Sequence, residues 1–309
     1  MANLWDKTFD ITDTLIRSLL KKQFGLTVNT LSILGEGFDN SAFLINSNIV
    51  FRFPHRVQAL SCMQNEIALL PIYKEKLSFP LPDIKYRGEA TSEYPNPFVG
   101  YQRLEGELLS TRLPSITDNL DFATTLGSWL KELHAQPVEA AHLASIQGDQ
   151  SWRLDISNRT QKMAEILEQY ADDFKDAGFD PIELNEMMES FEHLHILEKQ
   201  VYLHGDLYAK HIVVDKKGMP AGLIDWGDTH IGHPAIDLSV GVMLFEDDAL
   251  QAFLNAYGEW DHDLLDIAIF RAFCHALGAY AYFCQKNDYP TMLWTERAIH
   301  HVLHLMKTQ

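Results

Sequence analysis

Basic residues, cysteines and long apolar runs are all scarce in this chain. Among 309 residues, 25 Lys and Arg stand against 43 Asp and Glu, which gives a formal net charge of −18. Because nucleic acids and anionic membranes bind to basic faces, this balance argues against both as partners. The three cysteines form no C-x-x-C motif, which predicts reduced thiols in a cytoplasmic protein. No apolar run reaches the roughly 18 residues of a membrane span, and the N-terminal residues show no export signal.

Two aspartates and a histidine in the second half of the chain have the spacing of a catalytic site. Asp206 follows His204 and Gly205 at the end of a short β-like run, and His211 lies five residues later. Asp225 then opens an Asp-Trp-Gly triplet after an apolar run. Protein kinases place a catalytic aspartate and two metal ligands at this spacing. There the first aspartate accepts the proton of the substrate hydroxyl, and the other two groups hold magnesium against the nucleotide phosphates.

The tripeptide His-Gly-Asp alone is more often a turn or a helix cap than a catalytic loop. The residues that follow it favour the catalytic interpretation. Ile212–Asp215 predicts a strand, Lys216–Gly218 a turn, and Ala221–Ile224 a second strand that ends at Asp225. A loop followed by such a hairpin brings both aspartates and His211 into one site.

The residues from His204 to Asp225, together with Gly232–Asp237, resemble the aminoglycoside and macrolide phosphotransferases, which phosphorylate antibiotics and other small alcohols. The family pattern runs H-G-D-x-x-x-x-N, then I-D-W or I-D-F, then G-x-P-x-x-D. The residues that match it are His204, Gly205, Asp206, Ile224, Asp225, Trp226, Gly232, Pro234 and Asp237. His211 departs from the pattern, because most members carry Asn there. In this feature the chain is similar to the macrolide kinases.

The resemblance implies an α+β fold of the bilobal, protein-kinase-like type. A small N-terminal lobe with an antiparallel sheet would cover residues 1–103, and a larger, mainly helical lobe would cover residues 104–309. ATP or GTP would be the co-substrate and Mg²⁺ the cofactor, with Asp206 as the catalytic residue and His211 and Asp225 as the metal ligands. Nucleotide contacts are implied for Gln102, Leu104 and Ile224.

The first third of the chain predicts a nucleotide-binding sheet. Leu31–Leu34 breaks into Gly35-Glu36-Gly37 and is followed by Ser41–Ile45, which predicts a strand, a glycine loop and a strand. Gly35 and Gly37 would let the backbone close over phosphates, although this motif is as often only a hairpin turn. The next strand carries Arg52 where kinases carry a phosphate-binding lysine, a substitution that is not equivalent. Glu66 on the following helix is either the partner of Arg52 or a solvated helix residue.

The sequence distance from Asp225 to Asp237 indicates the kind of acceptor. Only eleven residues lie between them, too few for the activation loop that positions a peptide in protein kinases, so we predict a small-molecule hydroxyl acceptor. The C-terminal helices combine acidic and aromatic residues, which would suit a cationic acceptor. The alternative is that the aromatic side chains form the core and the acids are solvated. The acids are Glu246, Asp247, Asp248, Glu259, Asp261, Asp263 and Asp266, and the aromatic residues include Phe253, Tyr257, Trp260, Phe270, Phe273 and Tyr280.

Several helices and supporting residues are also predicted. We expect helices at Thr12–Phe24, ending at Gly25, and at Ser151–Phe174 and Pro181–Lys199. His204 is expected to brace the catalytic loop, and Asp237 either supports that loop or caps the helix that follows it. The fourteen histidines form no zinc-binding motif.

The sequence therefore predicts a monomeric kinase that transfers the γ-phosphoryl group of ATP or GTP to a hydroxyl of a macrolide or aminoglycoside antibiotic. One alternative is a kinase of an endogenous alcohol, such as a choline-, homoserine- or sugar-like metabolite. Another is a catalytically inactive, kinase-like binding protein. Arg52 and His211 favour the inactive alternative, whereas Asp206 and Asp225 oppose it.

Overall fold

The computed structural model describes residues 11–36, 40–55, 59–112, 118–146, 148–149 and 151–308. The chain divides into two compact units. The N-terminal unit consists of Met1–Lys76, Pro80–Glu105 and Trp226–Thr229. The C-terminal unit consists of Leu77–Phe79, Gly106–Asp225 and His230–Gln309. The chain thus returns to the N-terminal unit for a short segment directly after Asp225.

An antiparallel sheet and two helices make up the described part of the N-terminal unit. The strands are β1 Leu31–Glu36, β2 Asn40–Ile45, β3 Ile49–Pro54, β4 Ile84–Gly88 and β5 Phe98–Gln102, and the helices are α1 Asp13–Phe24 and α2 Ala59–Lys76. The five strands pair in the order β1-β2-β3-β5-β4. Side chains along β2 alternate between buried and half-buried positions, as expected for a strand with one face on the core.

Aromatic side chains from β3 and β5 fill the core of this unit. Phe51, Phe53 and Phe98 are buried, and the rings of Phe53 and Phe98 stack with their centroids 4.7 Å apart. The ring of Phe98 occupies the space that a side chain at Gly88 would need, since a Cβ there would lie 2.2 Å from it. Burial of such rings removes a large apolar area from water and stabilises the sheet.

Helix α1 begins and ends as predicted. The hydroxyl of Thr12 accepts the backbone N–H of Leu15, which caps the first turn. Gly25 then adopts a left-handed conformation with φ 67°, which ends the helix at Phe24.

The segment Trp226–Thr229 completes the core of the N-terminal unit. Trp226 is fully buried, and its ring centroid lies 5.2 Å from that of Tyr73 on α2. The carbonyl of Thr229 accepts a hydrogen bond from Asn65 Nδ2 at 3.1 Å, and its hydroxyl lies 3.1 Å from that of Tyr73. Helix α2 is thereby attached to residues that follow it by more than 150 positions.

The C-terminal unit is mainly helical. Its helices are α3 Leu120–His134, α4 Ala140–Ser145, α5 Ile156–Gln169, α6 Ala171–Asp176, α7 Pro181–Ser190, α8 Ala235–Leu244, α9 Asp247–Tyr257, α10 His262–Lys286 and α11 Tyr289–Thr308. Its short strands are β6 Glu107–Leu108, β7 Val201–Leu203, β8 Ile212–Val214, β9 Pro220–Leu223 and β10 His230–Gly232. Strands β6, β8 and β9 pair in that order, and β10 pairs with β7. The predicted hairpin is thus confirmed as β8 and β9, and the predicted α+β class is confirmed as well.

Helix α10 is long and apolar. Its 25 residues meet the length and composition of a membrane-crossing helix, but 72% of its most apolar window is buried inside the structure. Ile269, Phe270 and Phe273 are fully buried in the core. The helix is therefore the core helix of this unit, as in a soluble protein.

Two predicted helices are shorter in the structure. The predicted helix Ser151–Phe174 is divided into α5 and α6, and α5 begins only after Asp155, whose side chain accepts the N–H of Asn158. Trp152 has φ 52°, which is incompatible with a continuing helix. The helix predicted from Pro181 to Lys199 ends at Ser190.

Candidate active site

The catalytic loop is held by a buried carboxylate on α8. Asp237 is fully buried, and its two carboxylate oxygens accept the backbone N–H groups of His204 at 2.7 Å and Gly205 at 2.8 Å. The imidazole of His134 lies 3.2 Å from the same carboxylate. Burial by itself would raise the pKa of Asp237, but these hydrogen bonds outweigh it and lower that pKa below its ordinary value. Asp237 therefore supports the loop as an anion.

His204 links this loop to the end of the β8–β9 hairpin. Its Nε2 lies 2.9 Å from the carbonyl oxygen of Ile224, and its Nδ1 accepts the N–H of Asp206 at 3.3 Å. Since a carbonyl can only accept, the proton of the neutral ring lies on Nε2. Burial lowers the pKa of His204, so the ring stays neutral. These contacts are those that a bracing role requires.

The carboxylate of Asp206 lies between His211 on one side and Arg271 and His275 on the other. Its Oδ2 lies 3.7 Å from Nδ1 of His211. Its Oδ1 lies 3.8 Å from both Nη2 of Arg271 and Nδ1 of His275, which project from α10. About a quarter of the side chain is exposed to solvent. A carboxylate that is partly exposed and surrounded by nitrogen atoms is suited to accept a proton from a substrate hydroxyl.

His211 connects the two aspartates. Its Nδ1 lies 2.6 Å from the carbonyl oxygen of Asp206, and its Nε2 lies 3.3 Å from Oδ2 of Asp225. Burial lowers the pKa of His211, but the carboxylates of Asp225 and Asp206 raise it by more, so the net pKa lies above its ordinary value. Asp225 itself has φ 62°, a left-handed conformation that is unfavourable for a residue with a side chain and is enriched at functional sites.

The donor atoms at Asp225 and His211 fit a metal ion that is also bound by a nucleotide. Asp225 offers carboxylate oxygens, and Nε2 of His211 has its lone pair free when Nδ1 holds the proton. In the described part of the chain, no cluster of three or more His, Cys, Asp or Glu side chains could hold a metal without help. Mg²⁺ is commonly bound by one or two carboxylates and completed by substrate phosphates and water.

The N-terminal unit contributes a buried ion pair. Both carboxylate oxygens of Glu66 lie 2.8 Å from Nη1 of Arg52, and both side chains are almost fully buried. Glu66 is therefore the partner of Arg52, and the alternative of a solvated helix residue is wrong. Gly35 is in register with Arg52, because Ala42 on β2 pairs with Gly35 on one side and with Arg52 on the other.

The other predicted nucleotide-binding residues lie at or just after the end of β5 and directly after β9. Gln102 ends β5 with an exposed side chain, and Leu104 follows it half-buried. Ile224 is half-buried, and its backbone N–H donates to the carbonyl of His211 at 2.9 Å. Gly37 lies outside the described residues. Asp206, His211 and Asp225 are thus brought together in the C-terminal unit, and Arg52 and Glu66 in the N-terminal unit.

Arg271 and His275 were not among the predicted site residues. Their spacing of four places them on one face of a helix, and this was the signal in the sequence. Several acidic residues of the C-terminal helices lie at the surface. Asp247, Asp248, Glu259, Asp261 and Asp263 are exposed. Phe253, Phe270 and Phe273 are fully buried, so these aromatic side chains form the core.

Comparisons with known proteins find similar sequences. A family model described as "Phosphotransferase enzyme family" matches residues 30–273. The protein YcbJ of Bacillus subtilis, described as uncharacterized, is 23% identical over 223 residues, which cover 68% of this chain and 67% of YcbJ.

Solved structures show the same fold. The GDP and kanamycin complex of APH(2")-IIIa has a TM-score of 0.67 at 24% identity, over 94% of this chain and 98% of that one. Macrolide 2'-phosphotransferase type I has a TM-score of 0.61 at 20% identity, with the same coverage of the two chains. The predicted kinase-like fold is therefore confirmed.

Proposed function

Since the chain belongs to the phosphotransferase enzyme family, we propose that it transfers the γ-phosphoryl group of ATP or GTP to a hydroxyl of a small molecule. The observation that carries this proposal is the arrangement at the end of the β8–β9 hairpin, where His211 lies 3.7 Å from Asp206 and 3.3 Å from Asp225. It also supports an active enzyme over the inactive alternative.

The proposed reaction depends on positioning and electrostatics, as phosphoryl transfer does in general. Asp206 accepts a hydrogen bond from the acceptor hydroxyl and takes its proton as the new P–O bond forms. Asp237 and His204 keep the loop, and with it Asp206, in place. Asp225 and His211 would hold Mg²⁺, which supplies positive charge that neutralises the phosphates when it is bound.

Nucleotide contacts are proposed for the residues that the sequence predicted. Arg52 neutralises phosphate, and Glu66 holds its guanidinium in one orientation. Gly35 and Gly37 belong to the loop that covers the phosphates, and Gln102, Leu104 and Ile224 contact the remainder of the nucleotide. A solved relative that binds GDP supports a purine nucleotide as the co-substrate.

Two classes of acceptor are candidates. Amine-bearing antibiotics are supported by the names of the similar structures, one with kanamycin and one a macrolide 2'-phosphotransferase. A metabolic alcohol of choline-, homoserine- or sugar-like type is the second candidate. Its homoserine- and sugar-like members are favoured by Arg271, a cation 3.8 Å from Asp206 that would repel the amine of an antibiotic or of choline. We propose a monomeric cytoplasmic enzyme in either case.

The experiment is release of ADP or GDP by the purified protein with Mg²⁺ and a panel of alcohols. The panel includes macrolides, aminoglycosides and short metabolic alcohols. We expect at least one acceptor to raise nucleotide turnover well above the rate without acceptor, and mass spectrometry to find one added phosphoryl group on it. Background turnover with every acceptor, combined with no binding of Mg²⁺-nucleotide, would contradict the proposal.

A further inference from the structure

Helix α10 places a buried cation beside the proposed catalytic carboxylate. Arg271 and His275 lie one turn apart, and each has a nitrogen atom 3.8 Å from Oδ1 of Asp206. Nη2 of Arg271 also lies 3.3 Å from Nδ1 of His275. The side chain of Arg271 is only 9% exposed, so its guanidinium is largely removed from bulk water.

Among the described residues, this guanidinium uses only part of its hydrogen-bonding capacity, through Nη2 to Nδ1 of His275 at 3.3 Å. A distance of 3.8 Å to Asp206 is longer than a hydrogen bond. The Nε atom of Arg271 is buried and has no hydrogen-bond partner among the described residues. Burial lowers the pKa of Arg271 to about 10, so the group remains a cation at neutral pH. A buried cation with unused N–H donors is costly, which points to an anion from outside the chain.

Apart from Asp206, the charged groups described around Arg271 do not supply such an anion. Arg153 pairs with Asp149, and Arg159 donates to the backbone carbonyl of Trp152 at 3.1 Å. Both guanidiniums act on Arg271 as like charges. Burial lowers the pKa of His275 well below its ordinary value, and the nearby cations Arg271, His211, Arg153 and Arg159 lower it further, so that ring is neutral.

Two further groups near Arg271, Tyr208 and Cys274, are uncharged. Burial raises the pKa of Tyr208, whose ring centroid lies 4.8 Å from that of His275, and it raises the pKa of Cys274 to about 12. Asp206 is the carboxylate with the largest effect on Arg271 among the described residues.

The two oxygens of Asp206 separate this cation from the metal site. Oδ2 faces His211, which in turn contacts Asp225, whereas Oδ1 faces Arg271. Phosphates held at Asp225 would therefore lie on one side of Asp206, and Arg271 lies on the other. A group bound by Arg271 then belongs to the acceptor and not to the nucleotide.

We propose that Arg271 binds a carboxylate or phosphate group of the acceptor, and that this contact directs the acceptor hydroxyl to Asp206. The proposal rests on the proposed kinase function and specifies its substrate class as anionic alcohols. With ordinary hydrogen-bond lengths, the anionic oxygen and the hydroxyl oxygen lie no more than about 9 Å apart. The acceptor therefore has its anionic group close to the hydroxyl, as in a short hydroxy acid or a hydroxyalkyl phosphate.

The first test compares acceptors with one carbon skeleton and different charges. Glycerate, glycerol phosphate, the neutral amide of glycerate and the cationic aminopropanediol are each given to the wild-type enzyme with Mg²⁺-nucleotide. We expect turnover with one or both of the anionic compounds to exceed turnover with the amide and the amine by about tenfold or more. A preference for glycerate or for glycerol phosphate distinguishes a carboxylate from a phosphate as the bound group. Equal or better turnover with the amide or amine would overturn the proposal.

The second test needs no acceptor. Inorganic sulfate and phosphate are titrated into protein saturated with Mg²⁺ and a non-hydrolysable nucleotide, and thermal stability is followed. We expect saturable stabilisation of the wild type, and an affinity about 10- to 100-fold weaker in Arg271→Met. Arg271→Lys, which keeps the charge, should bind more tightly than Arg271→Met.

Arg297→Met is the matched control, because it removes one positive charge from the adjacent helix α11 and should keep the wild-type affinity for the anions. No saturable stabilisation of the wild type, or equal affinity in wild type and Arg271→Met, would overturn the proposal.

The two tests separate the possible failures. If neither nucleotide binding nor turnover is observed, the kinase function fails, while anion binding without nucleotide still reports on Arg271. If neutral acceptors are phosphorylated well and sulfate does not bind, the kinase function stands and the anionic acceptor is wrong. If Arg271→Met does not fold, as judged by circular dichroism, the acceptor ranking and the anion titration of the wild type decide.

Discussion

His211 and Asp225 contact each other through one defined pair of atoms, Nε2 and Oδ2, at 3.3 Å. The other ring nitrogen of His211 faces the carbonyl of Asp206, so the nitrogen that faces Asp225 is the one that can give up its proton. The imidazole therefore has two states. The imidazolium pairs with Asp225, whereas the neutral ring can bind the same metal ion as Asp225.

Removal of the carboxylate of Asp225 should abolish magnesium-dependent nucleotide binding. Asp225→Ala takes away the one full negative charge assigned to the ion, whereas His211→Asn offers an amide oxygen in place of the imidazole nitrogen and should be tolerated. Titration of nucleotide with Mg²⁺ and with EDTA measures both. The assignment is wrong if Asp225→Ala keeps its full magnesium-dependent affinity.

Asp206→Asn should fold and bind nucleotide but lose turnover. Loss of a positioned acid or base lowers the rate by about 10²- to 10⁴-fold, and the shape of the side chain is kept. Asp172→Asn is the matched control, because the side chain of Asp172 is fully exposed and contacts only Lys175 on the same helix. Turnover is measured with the best acceptor of the panel, and near-normal rates in Asp206→Asn would exclude its catalytic role.

Asp237→Asn should destabilise the protein by roughly 2–4 kcal/mol, because an amide offers only one acceptor oxygen to the two buried N–H groups of His204 and Gly205. The loss of stability caused by Asp237→Asn also depends on pH. The folded pKa of Asp237 lies below its ordinary value, so its stabilisation is fully present above about pH 4 and is lost as the pH falls through the folded pKa. The difference in melting temperature between wild type and Asp237→Asn should thus narrow below pH 4, and a constant difference would contradict this.

Arg52→Met should destabilise the N-terminal unit by roughly 3–5 kcal/mol, since it leaves the buried carboxylate of Glu66 without its cation. The double variant Arg52→Met, Glu66→Met should be more stable than Arg52→Met alone. Urea denaturation of the single and double variants gives the coupling energy. Arg52→Lys keeps the charge and should retain both folding and Mg²⁺-nucleotide binding, although with weaker affinity.

Local spacing was sufficient to predict the β8–β9 hairpin and the meeting of Asp206, His211 and Asp225. These residues are separated by a short loop and two strands, so their proximity follows from elements only a few residues long. The ends of α1 were predictable for the same reason, because Thr12 and Gly25 act on adjacent backbone groups.

Contacts between residues that are far apart in the sequence were harder to predict. The sequence offered two interpretations of Glu66, since the exposed or buried state of a helix face depends on what packs against it. Arg271 was visible as an isolated basic residue, but its position beside Asp206 depends on how α10 packs against the catalytic loop. The break between α5 and α6 was missed because helical periodicity continues through it, whereas the backbone leaves helical geometry at Tyr170, with φ −113° and ψ 25°.

The attachment of Trp226–Thr229 to α2 has a consequence for synthesis on the ribosome. The first 105 residues contain every strand of the N-terminal sheet, yet the contacts of Tyr73 and Asn65 with Trp226 and Thr229 cannot form until Thr229 has been made. A nascent chain that ends before this segment lacks the ring of Trp226 against Tyr73 on α2. The N-terminal unit thus completes its core only after most of the C-terminal unit has emerged from the ribosome. A fragment that ends at Glu105 would need a peptide of residues 226–229 to complete that core.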